Sequence, residues 1–144
     1  MTLEELYAEW AKDGEIDQHN VSNESANIPK LHNKYFRMYS EEGLRLVKLK
    51  ADYKSLVKLK TEYYKGELTS GDLAEHGWEP WLTRVLKQDL PTYIESDEDI
   101  KKKSLRIAYQ QSIVDFLQDI IKLVHNRGFQ LKTIVDWERF RSGA

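Results

Sequence analysis

From Lys30 to Lys65 the chain meets one glycine, Gly43, and no proline, and apolar residues recur along it at steps of three and four. Leu46, Leu49, Tyr53 and Leu56 alternate in this way, with Tyr63 a further seven residues on and Tyr35 and Tyr39 preceding them. A segment this long, free of breakers and with that period, folds as a helix with one buried stripe. The spacing predicts a helix over 30–66, closed by Gly66 and open to a bend at Gly43, with Pro29 suited to the first turn. A second stretch, from Ser96 to Arg127, contains neither glycine nor proline. Its seam is Leu105, Tyr109, Ser112 or Ile113, Phe116, Ile120 and Leu123. Ser96 and Asp99 form a capping-box pattern at its start, and Gly128 is expected as the residue that ends it.

Shorter elements fill the rest. Thr2 and Glu5 form another capping box, opening a helix over about residues 3–12 that presents Leu3, Leu6, Tyr7 and Trp10 on one face, with Gly14 beyond its end. Residues 15–27 are polar and lead into a second short helix after Asp17 or Ser22. Residues 67–95 carry Gly71, Gly77, Pro80 and Pro91 and read as irregular, with a short helix over Pro80–Lys87. Trp78 and Trp81 anchor that irregular stretch, and Trp10 and Trp137 fall in apolar patterns that assign them to the core. A final amphipathic segment, Leu131, Ile134, Val135 and Phe140, reads as a separate short helix. The expected fold class is therefore all-α, with two long helices and shorter ones at either end. The chain divides into an N-terminal helical region, 1–95, and a C-terminal helical region, 96–144.

The net charge of −2 conceals alternating blocks. Residues 30–66 hold ten lysines and arginines against four acids, and 67–100 hold nine acids against two bases. Residues 1–29 are acidic again and 101–144 basic. Such blocks allow a basic surface on a chain of pI 6.1, and allow copies to pair acidic faces with basic ones. On a helical wheel Lys50, Lys54, Lys58 and Lys65 share one arc of about 80° beside the apolar arc, while Lys60 falls inside the apolar arc. Cations along a helix with aromatic faces at its end, Tyr63 and Tyr64, are the ingredients of single-strand binding. The same residues also make an ordinary solvated lysine face beside a tyrosine-lined packing seam. Lys60 weighs against that second reading, because an unpaired ammonium in a core is costly.

Several chemistries find no support. There is no cysteine, which removes disulfides, thiolate metal sites and cysteine nucleophiles. No P-loop glycine pattern occurs. His19, His32, His76 and His125 are scattered without metal-ligand spacing. The acidic run Glu95–Asp99 lacks the glycine and terminal glutamate of an EF-hand loop and suits a helix N-terminus. Neither an enzyme, a cofactor nor a metal is expected. No apolar run approaches a membrane span, the first ten residues lack the pattern of a secretory signal, and a cytosolic protein is the expectation.

The run Leu56-Val57-Lys58-Leu59-Lys60-Thr61-Glu62-Tyr63-Tyr64-Lys65-Gly66 resembles the basic and tyrosine motif of the UvsY family, the recombination mediators of T-even-like phages. Leu3, Glu4, Leu6, Lys12-Asp13, Ile16-Asp17 and Glu24-Ser25-Ala26-Asn27 resemble that family's N-terminus. Asn126-Arg127-Gly128-Phe129, Lys132, Ile134, Asp136 and Phe140 resemble its C-terminus. Residues 67–100 diverge most, and Gly77-Trp78-Glu79-Pro80 is similar to cyanophage members. The resemblance implies a non-catalytic protein that binds single-stranded DNA and assembles into hexameric or heptameric rings. It implies a role in helping a RecA-like phage recombinase displace the phage single-stranded-DNA-binding protein, in the cytoplasm of the infected host cell. It carries phosphate contact onto Lys58 and Lys60, the latter standing where the family often has arginine. Tyr63 and Tyr64 are added as stacking residues by type, and Lys50, Lys54 and Lys65 by their place on the wheel. Tyr109, Ile113, Phe116, Ile120 and Leu123 are the expected assembly seam. The competing reading is a structural coiled-coil adaptor that binds no nucleic acid.

Overall fold

The computed structural model describes residues 1–143, and every regular element among them is a helix. These are α1 (Leu3–Asp13), α2 (Val21–Ala26), α3 (Ile28–Tyr64), α4 (Ser70–His76), α5 (Leu90–Ser96) and α6 (Glu98–Arg141). The all-α expectation holds. At 1.5 Å per residue, the 37 residues of α3 and the 44 of α6 extend for about 55 Å and about 65 Å.

Local sequence accounts for most of the boundaries. Thr2 Oγ1 accepts from the Glu5 N–H while the Glu5 carboxylate accepts from the Thr2 N–H, so the first capping box forms as read. Gly66 adopts φ +73, the left-handed backbone that follows a helix end and favours glycine. A second capping box, which sequence reading passed over, Thr69 with Asp72, starts α4, and Gly77 at φ +69 closes it.

Four expectations are corrected. Gly128 does not end a helix: α6 runs through it to Arg141, because the apolar spacing continues into Leu131, Ile134 and Val135 and outweighs the modest helix penalty of one glycine. The separate C-terminal helix is thus the last part of α6. At the other end, Asp97 rather than Ser96 caps α6, its Oδ1 accepting from the N–H groups of Asp99 and Ile100 at 2.9 and 3.1 Å. No helix forms over 80–87; the short helix lies later, at Leu90–Ser96, with Pro91 in its first turn. Trp137 is not core but 58% exposed, stacked on the exposed Phe140.

The chain forms two compact units, Met1–Arg45 with Gln110–Ala144, and Leu46–Tyr109. Neither boundary coincides with residue 95, since each long helix contributes to both units. The core of the first unit is Leu6, Tyr35, Ile113, Leu117, Ile120 and Val124. Trp10 meets Tyr35 edge-on and Tyr7 meets Phe116 the same way. Polar groups buried with them are partnered. The Gln110 amide donates to the Glu42 carboxylate and carbonyl at 2.7 and 2.9 Å. Arg127 donates to the Glu15 carbonyl and the Glu24 carboxylate at 2.8 and 2.9 Å.

This packing divides the expected assembly seam. Ile113 and Ile120 are fully occupied inside the first unit, and Phe116 is half-buried against it, whereas Tyr109 and Leu123 are exposed. The reason is that a single α1 and the start of α3 already cover the Ile113–Ile120 face.

Candidate nucleic-acid interface

In the second unit the buried stripe of α3 is Leu46, Lys60 and Tyr64, with Leu49, Tyr53 and Leu56 half-buried. The stripe therefore lies where the three-four spacing puts it. Lys50, Lys54, Lys58 and Lys65 are all exposed, and none of their ammonium groups makes an ion pair or hydrogen bond among the described residues. They stand on the arc beside the stripe. Lys50, Lys54 and Lys58 are about one turn apart and Lys65, just past the end of α3, about two turns further on; together they offer a row of unneutralised positive charge over roughly 20 Å.

Lys60 and Tyr64 are placed elsewhere. Lys60 is 4% exposed. Its Nζ lies 3.0 Å from Asp97 Oδ2 and 2.9 Å from Asp99 Oδ2, and 3.9 Å above the Trp78 ring. Tyr64 donates its hydroxyl to the same Asp97 oxygen at 2.6 Å, and its ring meets Trp81 edge-on. Tyr63 is half-buried; it donates to the Glu79 carbonyl at 2.6 Å and packs against Trp78. The sequence groups these three side chains with Lys58 as DNA-facing; the helical period turns Lys60 and Tyr64 to the interior and Tyr63 part of the way, and each has an internal partner.

Burial tends to raise the Asp97 carboxyl, but hydrogen bonds from Tyr64, Lys60 and the Ile100 N–H outweigh it and hold the group below the usual carboxylate range. The Tyr64 hydroxyl is pushed well above its ordinary value, first by burial and then by the Asp97 charge it donates to. The network therefore holds one proton on Tyr64 and a charge on Asp97 across the neutral range.

Sequence reading missed Asp97 and Asp99 as partners of Lys60. The signal was present: a lysine on an apolar arc requires a carboxylate, and the densest carboxylate run in the chain is Glu95–Asp99. Trp78 and Trp81 do anchor the irregular stretch, through contacts with Tyr63, Tyr64 and Tyr93. Among the described residues no cluster of three or more histidine, aspartate or glutamate side chains is arranged to hold a metal, and no helix is long and apolar enough to cross a membrane.

Comparison with known proteins agrees over nearly the whole chain. A family model described as "Recombination, repair and ssDNA binding protein UvsY" matches residues 9–144. The recombination protein uvsY of Enterobacteria phage T4 is 29% identical over 143 residues, covering 99% of each chain. Crystal structures of the bacteriophage T4 recombination mediator protein UvsY superpose with a TM-score of 0.84 at 26% identity in two lattice types. One of them covers 99% of this chain and 98% of its own, the other 97% and 99%. The chain belongs to the UvsY family of recombination, repair and single-stranded-DNA-binding proteins.

Proposed function

We propose that this protein is a recombination mediator that binds single-stranded DNA along the exposed lysine face of α3 and helps load a RecA-like recombinase onto DNA covered by single-stranded-DNA-binding protein. The observation that carries the reading is the row Lys50, Lys54, Lys58 and Lys65, four exposed ammonium groups without internal partners in a chain of this family. Charges left unpaired on one face favour a polyanion that tracks that face. The recombinase and the single-stranded-DNA-binding protein are partners that the T4 relative's description as a recombination mediator suggests. The site of action is the cytoplasm of the infected host cell, and no catalytic step is assigned to the chain.

Assembly into a hexameric or heptameric ring belongs to the same reading. Along the part of α6 in the first unit, Leu123, Phe129, Trp137 and Phe140 are exposed, more apolar surface than a lone helix face keeps in water without a partner. With Ile113 and Ile120 committed inside the subunit, this outer face of α6 supports contact between copies. A ring repeats the lysine row in every subunit, so contacts of individually low affinity add along one strand. The test is binding of a fluorescein-labelled oligo(dT) at several salt concentrations, alongside light scattering. Tight, salt-sensitive binding by an oligomer is expected, and Lys54→Ala with Lys58→Ala should flatten the slope of log affinity against log salt by about 1.4, at about 0.7 per phosphate. A chain that binds no oligonucleotide at low salt overturns the reading and returns the molecule to a structural adaptor.

A further inference from the structure

Lys58 and Lys60 sit two residues apart in one basic motif, yet the structure gives them opposite surroundings. Lys58 is exposed and without a partner among the described residues. Lys60 is enclosed by Asp97, Asp99 and the Trp78 ring. A phosphate reaching the Lys60 ammonium would have to enter beside two carboxylates already within 3.0 Å of it, so like charges oppose the approach.

We infer that Lys60 is a positioning residue for the DNA-binding face and not itself a phosphate contact. This rests on the reading that the α3 lysine face binds single-stranded DNA. The route runs through Asp97. One carboxylate oxygen takes both the Lys60 ammonium and the Tyr64 hydroxyl, and the other caps the first turn of α6. The last two turns of α3 are thereby fixed against the start of α6, and Trp78 is seated on the same ammonium. Lys58 and Lys65 flank those turns, so their spacing depends on the network although neither belongs to it.

The two roles separate because a buried ion pair can be replaced as a pair. Losing one member strands the other, whereas a neutral replacement of both, close in volume, restores the interior. Lys60→Met alone and Asp97→Asn alone should each weaken oligo(dT) binding, even though Asp97→Asn removes a negative charge. The double variant should recover it. The amide that Asp97→Asn introduces keeps its oxygen on the first turn of α6, asparagine being a favoured N-cap. Its NH2 then turns to the Tyr64 hydroxyl, whose oxygen can accept. The salt slope of the double variant should match wild type, while Lys58→Ala, measured alongside, should lower the slope by about 0.7. Near-ultraviolet circular dichroism of Trp78 and Trp81 should change in the single variants and return in the double one. A double variant whose tryptophan signal is restored but whose salt slope falls by as much as that of Lys58→Ala overturns the inference and makes Lys60 a phosphate contact. Asp97→Asn binding more tightly than wild type does the same. A wild-type chain that binds no oligonucleotide overturns the reading beneath it, an outcome distinct from either.

Discussion

Each compact unit contains an aspartate that accepts from a tyrosine and a lysine, and the two triads differ in depth. In the first unit Asp13 accepts from the Tyr35 hydroxyl at 2.8 Å and pairs with Lys34, which also reaches Glu9 at 2.8 Å. In the second, Asp97 accepts from Tyr64 and pairs with Lys60. The lysine side chain is 42% exposed in the first triad and 6% in the second. Beneath the first triad lies a core of six fully buried apolar side chains. The second unit buries only Leu46, Tyr64 and Ile100 among its hydrophobics, together with Lys60 and Asp97. The difference teaches where electrostatics matters to this fold. Water screens the lysine of the first triad, and its tyrosine sits in a core that five other apolar side chains also build. The second is much of the interior that its unit has.

The largest expected effect follows from removing the buried acceptor. Asp97→Ala should destabilise the chain by about 3 kcal/mol, the low end of the range for breaking a buried pair, because Asp99 remains beside Lys60 at 2.9 Å. Urea unfolding followed by the emission of Trp78 and Trp81 in a Trp10→Phe, Trp137→Phe background reads the second unit directly. The equivalent change in the first unit, Asp13→Ala, leaves the buried Tyr35 hydroxyl without its acceptor. It should cost less, about 1–2 kcal/mol, the lower part of the penalty for one unsatisfied buried group, because the Tyr35–Asp13 bond is only partly buried. Equal losses at the two positions would break the comparison.

Both aspartates are held below the usual carboxylate range against burial, Asp13 by hydrogen bonds from Lys34 and Tyr35 and Asp97 by those from Tyr64 and Lys60. A carboxyl depressed by folding contributes stability that is present above its unfolded value near 3.9 and is lost as pH falls through the folded value. Both tyrosines are shifted upward, mainly by burial. Their contribution is present below the unfolded value near 10 and is lost as pH rises beyond it. Midpoints of urea unfolding should accordingly be flat between about pH 5 and about pH 9 and fall on both sides. Asp97→Asn should blunt the acid limb more than Asp13→Asn does.

The helices were legible in the sequence wherever a period was long enough to dominate. The stripe Leu46 to Tyr64 and the capping box at Thr2 lie where spacing puts them. Gly128 misled because glycine marks a helix end only when the chain turns into left-handed backbone there, as Gly66 does and Gly128 does not. Nothing lies within 4 Å of a Cβ placed on Gly128. Gly128→Ala should therefore stabilise the first unit by about 0.5–1 kcal/mol through helix propensity, raising the thermal midpoint, while Gly66→Ala should lower it. The candidate interface was legible in part. Wheel geometry isolated the exposed lysines correctly, but motif adjacency joined Lys60 to Lys58. Positions two apart on a helix point about 200° from each other, so a motif read as a string crosses from surface to interior. The partners of Lys60 lie more than thirty residues away, where no local pattern reports them.

The smallest effect closes the comparison between the triads. Lys34→Met removes the surface member of the first triad. Its ammonium is solvated, both acids it touches reach water, and each retains other partners or hydration. Exposed pairs of this kind contribute about 0–1 kcal/mol, and methionine keeps most of the aliphatic stem. Burial would lower the Lys34 ammonium, but its bonds to Asp13 and Glu9 hold it above its ordinary value. It therefore stays charged throughout the neutral range, and whatever it contributes should fade with added salt rather than with mild pH change. Urea midpoints of Lys34→Met and wild type should differ slightly at low ionic strength and converge in about 1 M salt, where the screening length is about 3 Å. Lys60→Met should keep most of its deficit in the same salt, since Lys60 and Asp97 are shut away from counterions and only Asp99 reaches water. If the two variants respond to salt alike, the second triad is more open to water than its geometry indicates, and the contrast between the units lies in their apolar cores alone.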